Sequence, residues 1–251
     1  MIVNADALQV YDGWRILTAR PSPEEEASVP HALFGHVAME QPYSVGHWLR
    51  EAAAFVDAPQ RPIFVGGTGL YFTALTQGLA EIPPIPPRHP GRSGCPAARQ
   101  VAGRSRCAHA RRTGPAQPGA RPARLGGAAR HGPRAGRLAG GDAPPLLPLS
   151  RATALVLRPA VPWLDARIAA RFDAMLEQGA LAEVQALLPR WRENAPAFRA
   201  LGAAPLRAHL EGRLSLREAR DAAVQASRLY AKRQRTWFRN RMTGWASIPL
   251  P

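Results

Sequence analysis

Apolar positions in the N-terminal third of the chain switch between two periods, and the switches mark the expected elements. Ile2 and Val3 read as the end of a buried parallel strand, with Asn4-Ala5-Asp6 as the turn that leaves it. Residues 12–43 are interrupted by Pro21, Pro23, Pro30 and Pro42, which predicts a loop-like stretch. Ser44 suits a helix N-cap. Val45, Trp48, Leu49, Ala52 and Val56 then recur at i, i+3, i+4, i+7 and i+11, the period of an amphipathic helix. Pro59 and Pro62 bracket its exit. Ile63-Phe64-Val65 is a short apolar strand, Gly66-Gly67-Thr68-Gly69 a tight turn, and 70–79 a helix closed by Gly78. Strand, helix, strand, helix predicts a crossover unit on a parallel sheet.

The same reading applies to the C-terminal part. Residues 151–157 are strand-like, and Pro162-Trp163-Leu164 opens a long amphipathic segment. Leu164, Ile168, Phe172, Met175 and Leu176 share one helical face, continued after Gly179 by Leu181, Val184, Leu187 and Leu188. Ser215-Leu216-Arg217-Glu218 is a capping box, so a helix starts at Leu216, with Ala219, Ala222, Ala223, Ala226, Tyr230 and Trp237 on its apolar side. Arg228, Lys232, Arg235 and Arg239 fall at i, i+4, i+7 and i+11 and make a basic stripe, while Arg233 and Arg241 add charge elsewhere. No acid follows Asp221. A stripe of one sign without acids at i, i+4 repels itself, which predicts a phosphate backbone as its partner.

Residues 88–143 break both periods. They hold 12 Arg, no Lys, one acid (Asp142), and no Ile, Met, Phe, Tyr or Trp. Such a segment buries too little apolar surface to offset chain entropy, so disorder is expected. It reads either as an arginine-rich RNA-binding linker or as an out-of-frame stretch, because Ala, Gly, Pro and Arg are what G/C-rich codons yield in a wrong frame. The out-of-frame reading is preferred. The segment also changes what net charge means. A charge of +15 and a pI near 11.5 point to a polyanionic partner. Yet 12 − 1 = +11 of that lies in 88–143, leaving +4 for the remainder. Cys95 and Cys107 have no Cys or His at zinc spacing and make no disulfide scaffold. No metal-ligand cluster is identified. No apolar run approaches the ~18 residues that span a bilayer, and no charged-then-apolar leader precedes the first strand, so a cytoplasmic protein without membrane contact is expected.

Two places carry candidate chemistry. Ligands of open α/β sheets bind beyond the carboxyl ends of the strands, where Asp6 lies, although Asp is also an ordinary turn residue. Glycines in the turn 66–69 let backbone approach a ligand closely, or serve the geometry of the turn alone. Motif by motif, the chain resembles one family. Asp6-Ala7-Leu8-Gln9-Val10-Tyr11 resembles the D-[SA]-x-Q-[VL]-Y motif of bacterial tRNA dimethylallyltransferases, and Thr18-Ala19-Arg20-Pro21-Ser22 is similar to their G-T-A-K-P-[ST]. The stretch Val65-Gly66-Gly67-Thr68-Gly69-Leu70-Tyr71 looks like V-G-G-T-x-L-Y. Residues 164–176 resemble L-x-x-R-I-x-x-R-[FV]-x-x-M-L, and 232–239 resemble K-R-Q-x-T-W-[LF]-R. Arg199-Ala200-Leu201-Gly202 looks like the start of R-x-[VI]-G-Y-R-Q, but Ala203-Ala204-Pro205 replaces the Tyr-Arg-Gln.

The resemblance implies transfer of a dimethylallyl group from dimethylallyl diphosphate to N6 of the adenine beside the anticodon. Asp6 is then the general base, Thr68 positions the acceptor, and Arg171 touches the donor's diphosphate, with Mg²⁺ as cofactor. The implied contacts to the tRNA anticodon arm are Asp6, Ala7, Leu8, Gln9, Thr68, Arg199, Lys232, Arg233, Gln234, Arg235, Trp237 and Arg239. The expected architecture is a P-loop NTPase-like α/β fold, a parallel sheet flanked by helices, acting as a monomer. Its parts are a partial core at 1–87, the segment 88–143, and a late core strand plus helical tRNA-binding part at 144–251. The family's opening strand and P-loop, G-x-T-x-x-G-K-[ST], have no counterpart here, and Met1 stands just ahead of the second strand. Residues binding the cofactor are therefore not identified, and weak or absent activity is expected. Two other readings stay open: a non-catalytic RNA-binding remnant, and a small-molecule kinase on the same architecture.

Overall fold

A computed structural model describes residues 1–79 and 144–251. The segment 88–143, read above as out of frame or as a linker, lies outside the described residues. β1 (Ile2–Asn4) is the middle strand of a three-stranded parallel sheet, between β2 (His31–Ala32) and β3 (Ile63–Val65). Val3 is fully buried and stands opposite Ala32 on one side and Phe64 on the other. Two elements fall inside the stretch expected to be loop: β2, and before it α1 (Pro23–Ser28). α1 is started by a capping box, in which Ser22 and Glu25 bond each other's backbone N–H groups. β2 is two residues long and has no period of its own; its pairing with β1 creates it.

The expected crossover is present. α2 (Val45–Val56) starts at Ser44, whose side chain accepts from the His47 N–H, and buries Trp48, Ala52 and Val56. A buried indole needs a partner for its N–H. Trp48 finds it in the carbonyl of Asn4 at 2.7 Å, which pins α2 to the end of β1. After β3, α3 (Gly69–Gln77) lays Tyr71 flat on Trp48, ring centres 4.5 Å apart.

The strand expected at 151–157 is β4 (Leu155–Pro159), but its neighbour differs from expectation. It pairs in parallel with β5 (Ala246–Leu250) and, among the described residues, not with the β1 sheet. Pro249 hides β5 from a pattern reading, since a residue without an N–H is confined to sheet edges. β3 closes one edge of its own sheet, with Ile63 59% and Val65 50% exposed.

The helical part comprises α4 (Val161–Glu177), α5 (Ala180–Leu187), α6 (Ala203–Leu210) and α7 (Leu216–Arg241). Gly179, at φ +102°, makes the left-handed break between α4 and α5. Arg220 of α7 forks onto Asp173 of α4 at 2.8 and 2.7 Å. The main core joins this part to the N-terminal chain: Val10, Tyr11, Trp14 and Leu17 pack with Phe172, Met175, Val184, Phe198 and Leu206. Trp14 donates to the Ala197 carbonyl at 2.8 Å. The carboxylate of Glu183 accepts three backbone N–H groups, from Arg15, Ile16 and Leu17, at 2.7 to 2.9 Å. The start of the expected loop is thus a core segment folded as turns.

Candidate active site

Asp6 is held from both sides. Asn4, fully buried, donates through its side-chain amide to the carbonyls of Asp6 (3.0 Å) and Leu33 (2.9 Å), and accepts from the Asp6 N–H at 2.8 Å. The Oδ1 of Asp6 accepts from the N–H groups of Leu8 (2.8 Å) and Gln9 (3.4 Å). Its Oδ2 has no hydrogen-bond partner among the described residues. One oxygen thus fixes the rotamer while the other stays available, the arrangement a general base requires. Gln9 is committed too: its amide nitrogen donates to the carbonyls of Thr18 (2.9 Å) and Ala19 (3.0 Å), leaving its oxygen free to accept.

Behind Asp6 lies the turn 66–69. A Cβ on Gly66 would stand 2.2 Å from the Ala5 carbonyl, a backbone collision that cannot relax. The Thr68 N–H donates to the Ala5 carbonyl (3.2 Å), and the Thr68 hydroxyl oxygen accepts from the Ala7 N–H (2.9 Å). On its far side the turn meets α7. Gln234 donates to the Gly67 carbonyl at 2.9 Å, and a Cβ on Gly69 would stand 2.1 Å from the Trp237 ring. On these sides the turn serves its own packing, while Gly66 and Gly67 also line the cavity described next. The space where each glycine lacks a Cβ is filled by the chain itself, by the Ala5–Asp6 peptide, Gln234 and Trp237.

Asp6, Leu8, Gln9, Gly66, Gly67, Tyr230 and Gln234 line one side of a cavity of about 630 Å³. Leu17, Leu164, Ile168, Phe172, Met175 and Leu201 make an apolar wall, and Arg171 joins it from α4. Arg171 has no carboxylate partner among the described residues. Partial burial loosens its hold on its proton, and the charge of Asp6 opposes that loss. Burial and the same carboxylate push the Tyr230 hydroxyl up, against the pull of Thr68, Arg233 and Gln234.

The structure brings Asp6, Leu8, Gln9, Arg171 and Gln234 to one cavity, with Ala7 and Thr68 bonded directly behind it. Arg199 stands exposed on a short helical turn, Pro196–Arg199, and does not line the cavity. Lys232, Arg233 and Arg239 are exposed on α7 with no acidic partner among the described residues, and Arg233 lies over the Tyr230 ring. Arg235 is half-buried, with one guanidinium nitrogen enclosed and unpaired. The stripe is less uniform than its spacing predicts, because Arg228 leans toward Asp165 of α4, 3.9 Å away. Sequence reasoning missed the Asn4 clamp; an Asn two residues before Asp6 at a buried strand end was the available signal.

A family model described as IPP transferase matches residues 9–111 and 140–241. The tRNA dimethylallyltransferase of Cereibacter sphaeroides (strain ATCC 17029) is 53% identical over 260 residues, spanning 100% of this chain and 81% of that protein. The corresponding protein of Jannaschia sp. is 49% identical over 100% of this chain and 88% of its own length. Among solved structures, the tRNA isopentenylpyrophosphate transferase of Bacillus halodurans superposes with a TM-score of 0.65 at 23% identity, covering 99% of this chain and 80% of that one. A eukaryotic dimethylallyltransferase acting on tRNA gives a TM-score of 0.68 at 18% identity, covering 99% and 67%. These structures share the α/β fold with parallel strands and helices. With its family model matched over most of its length and relatives near half identical, this chain belongs to the IPP transferase family.

Proposed function

We propose that this chain transfers a dimethylallyl group from dimethylallyl diphosphate to the N6 amine of the adenine beside the anticodon in tRNA. The observation that carries the reading is the cavity itself. A carboxylate with one free oxygen and an arginine without a described carboxylate partner line a shared space that also has an apolar wall. Adenine enters on the Asp6 side, where Oδ2 accepts a proton from N6 as that nitrogen attacks C1 of the donor. The N6–C1 bond forms as the C1–O bond breaks. The electron pair leaves on diphosphate, where the Arg171 fork meets the departing charge. Thr68 acts from behind, by holding the Ala7 N–H, and the apolar wall excludes water that would intercept the prenyl group. Lys232, Arg233 and Arg239 present positive charge to the RNA backbone.

The family resemblance implies Mg²⁺, an ion held mainly by one or two carboxylates and the substrate's own phosphates. Among the described residues no group of three His, Cys, Asp or Glu side chains stands ready for a metal, and no step is assigned to it. Nor do these 251 residues contain a G-x-T-x-x-G-K-[ST] stretch. No described helix is long and apolar enough to cross a membrane. We read the site of action as the cytoplasm and the acting form as a monomer. The test is incubation with labelled dimethylallyl diphosphate and unmodified tRNA, followed by digestion to nucleosides. Labelled N6-dimethylallyladenosine is the expected product. Retained tRNA binding with no labelled nucleoside would instead make the chain an RNA-binding protein.

A further inference from the structure

The face of α7 turned to the cavity does more than pack. Tyr230, Gln234 and Trp237 recur at i, i+4 and i+7, and all three address the turn 66–69: Tyr230 beside Thr68, Gln234 on the Gly67 carbonyl, and Trp237 against Gly69. At about 100° per residue, Lys232 and Arg239 project roughly half a turn away from Tyr230. One helix therefore presents a basic face outward and a clasp inward.

The clasp has no slack. A Cβ on Gly67 would lie 2.1 Å from the Gln234 amide nitrogen, so helix and turn are in direct contact. A Cβ on Gly66 would lie 2.2 Å from the Ala5 carbonyl, so the turn is equally tight against the peptide that carries Asp6. Thr68 bonds Ala5 on one side of Asp6 and Ala7 on the other, at 3.2 and 2.9 Å. Close-packed groups transmit displacement rather than absorb it. A shift of α7 must move the turn, and the turn must move the carboxylate.

We propose that Gln234, backed by Tyr230, is a positioning residue: through Gly67, Thr68 and Ala7 it places Asp6, so the helix that grips RNA also sets the base. This rests on the activity proposed above and replaces the expectation that Gln234 contacts tRNA. Gln234→Ala should leave tRNA affinity within about twofold and lower the transfer rate constant at saturating tRNA and donor by roughly ten- to a hundredfold. It should also speed amide exchange at Thr68 and Ala7. Gln234→Glu keeps the shape but loses the N–H donor and should behave alike. Gly67→Ala collides with Gln234 and should slow transfer as well. With Gln234→Ala present the added methyl has room, so the double variant should be no slower than Gln234→Ala alone.

Weaker tRNA binding with an unchanged saturated rate constant would overturn the proposal and return Gln234 to RNA contact. Unchanged exchange at Thr68 and Ala7 would overturn it too, since α7 would then not hold the turn. Faster exchange with an unchanged rate constant would reduce Gln234 to a merely structural role. A wild-type chain that transfers nothing counts against the proposed activity, and the exchange comparison then decides the clasp by itself.

Discussion

The turn at Asn4–Gln9 and the outer face of α7 are both polar, and they are built in opposite ways. In the turn most polar groups are spent on the chain itself: Asn4 makes three bonds, Asp6 Oδ1 two and the Gln9 amide nitrogen two, leaving one carboxylate oxygen and the Gln9 side-chain oxygen free. On the outer face Lys232 and Arg239 are exposed and have no described acidic partner. Preorganisation suits a group that must meet a developing charge at one point. Unpaired, mobile cations suit a phosphate backbone, where affinity comes from the number of charges and the release of counterions. The two regions should therefore respond differently to the same kind of mutation.

After Asp6 itself, the largest effect is expected at the edge of the preorganised region. Arg171→Ala should lower transfer by about a hundredfold or more, as removal of a transition-state charge partner does, while tRNA binding barely changes. Transfer kinetics beside a filter-binding titration would show it. A comparable loss of tRNA affinity would erase the distinction between the two regions. Next is the clamp. Asn4→Ala takes this partner from the Asp6 N–H and from the carbonyls of Asp6 and Leu33, and should destabilise the fold by about 2–3 kcal/mol in denaturant unfolding.

Glu183→Ala tests the same principle away from the cavity. Three backbone N–H groups lose their acceptor, and a loss of about 2 kcal/mol is expected, with Glu183→Gln recovering part of it. The smallest effect on stability belongs to the outer face. Lys232→Ala with Arg239→Ala should leave the unfolding midpoint unchanged and weaken tRNA binding, lowering the slope of log affinity against log salt by roughly one to two. A shift in unfolding without a change in salt slope would mean that these cations serve the fold.

Legibility followed the range of the interaction that makes each element. The starts of α2 and α7 could be read because Ser44 and Ser215 meet partners three residues away, within the same stretch of sequence. Ser22 and Glu25 form the same box, overlooked among prolines. β2 and β5 could not be read, because pairing with distant strands makes them strands at all. Residues 10–17 belong to the core through turns, which have no period. At the site, the strand-end position marked Asp6, and the family motif supplied Arg171. The partners of the glycines were not legible, since Gln234 and Trp237 lie well over a hundred residues further along the chain.

The central claim is that the free oxygen of Asp6 is the base for prenyl transfer. Asp6→Asn keeps an oxygen for the Leu8 and Gln9 N–H groups and removes the basicity together with the negative charge. Single-turnover transfer, with the protein in excess over labelled tRNA and dimethylallyl diphosphate saturating, measured beside tRNA affinity for both proteins, isolates that change. The account predicts a loss of about a hundred- to ten-thousandfold in the rate constant with affinity unchanged. Equal rate constants for the two proteins would contradict it.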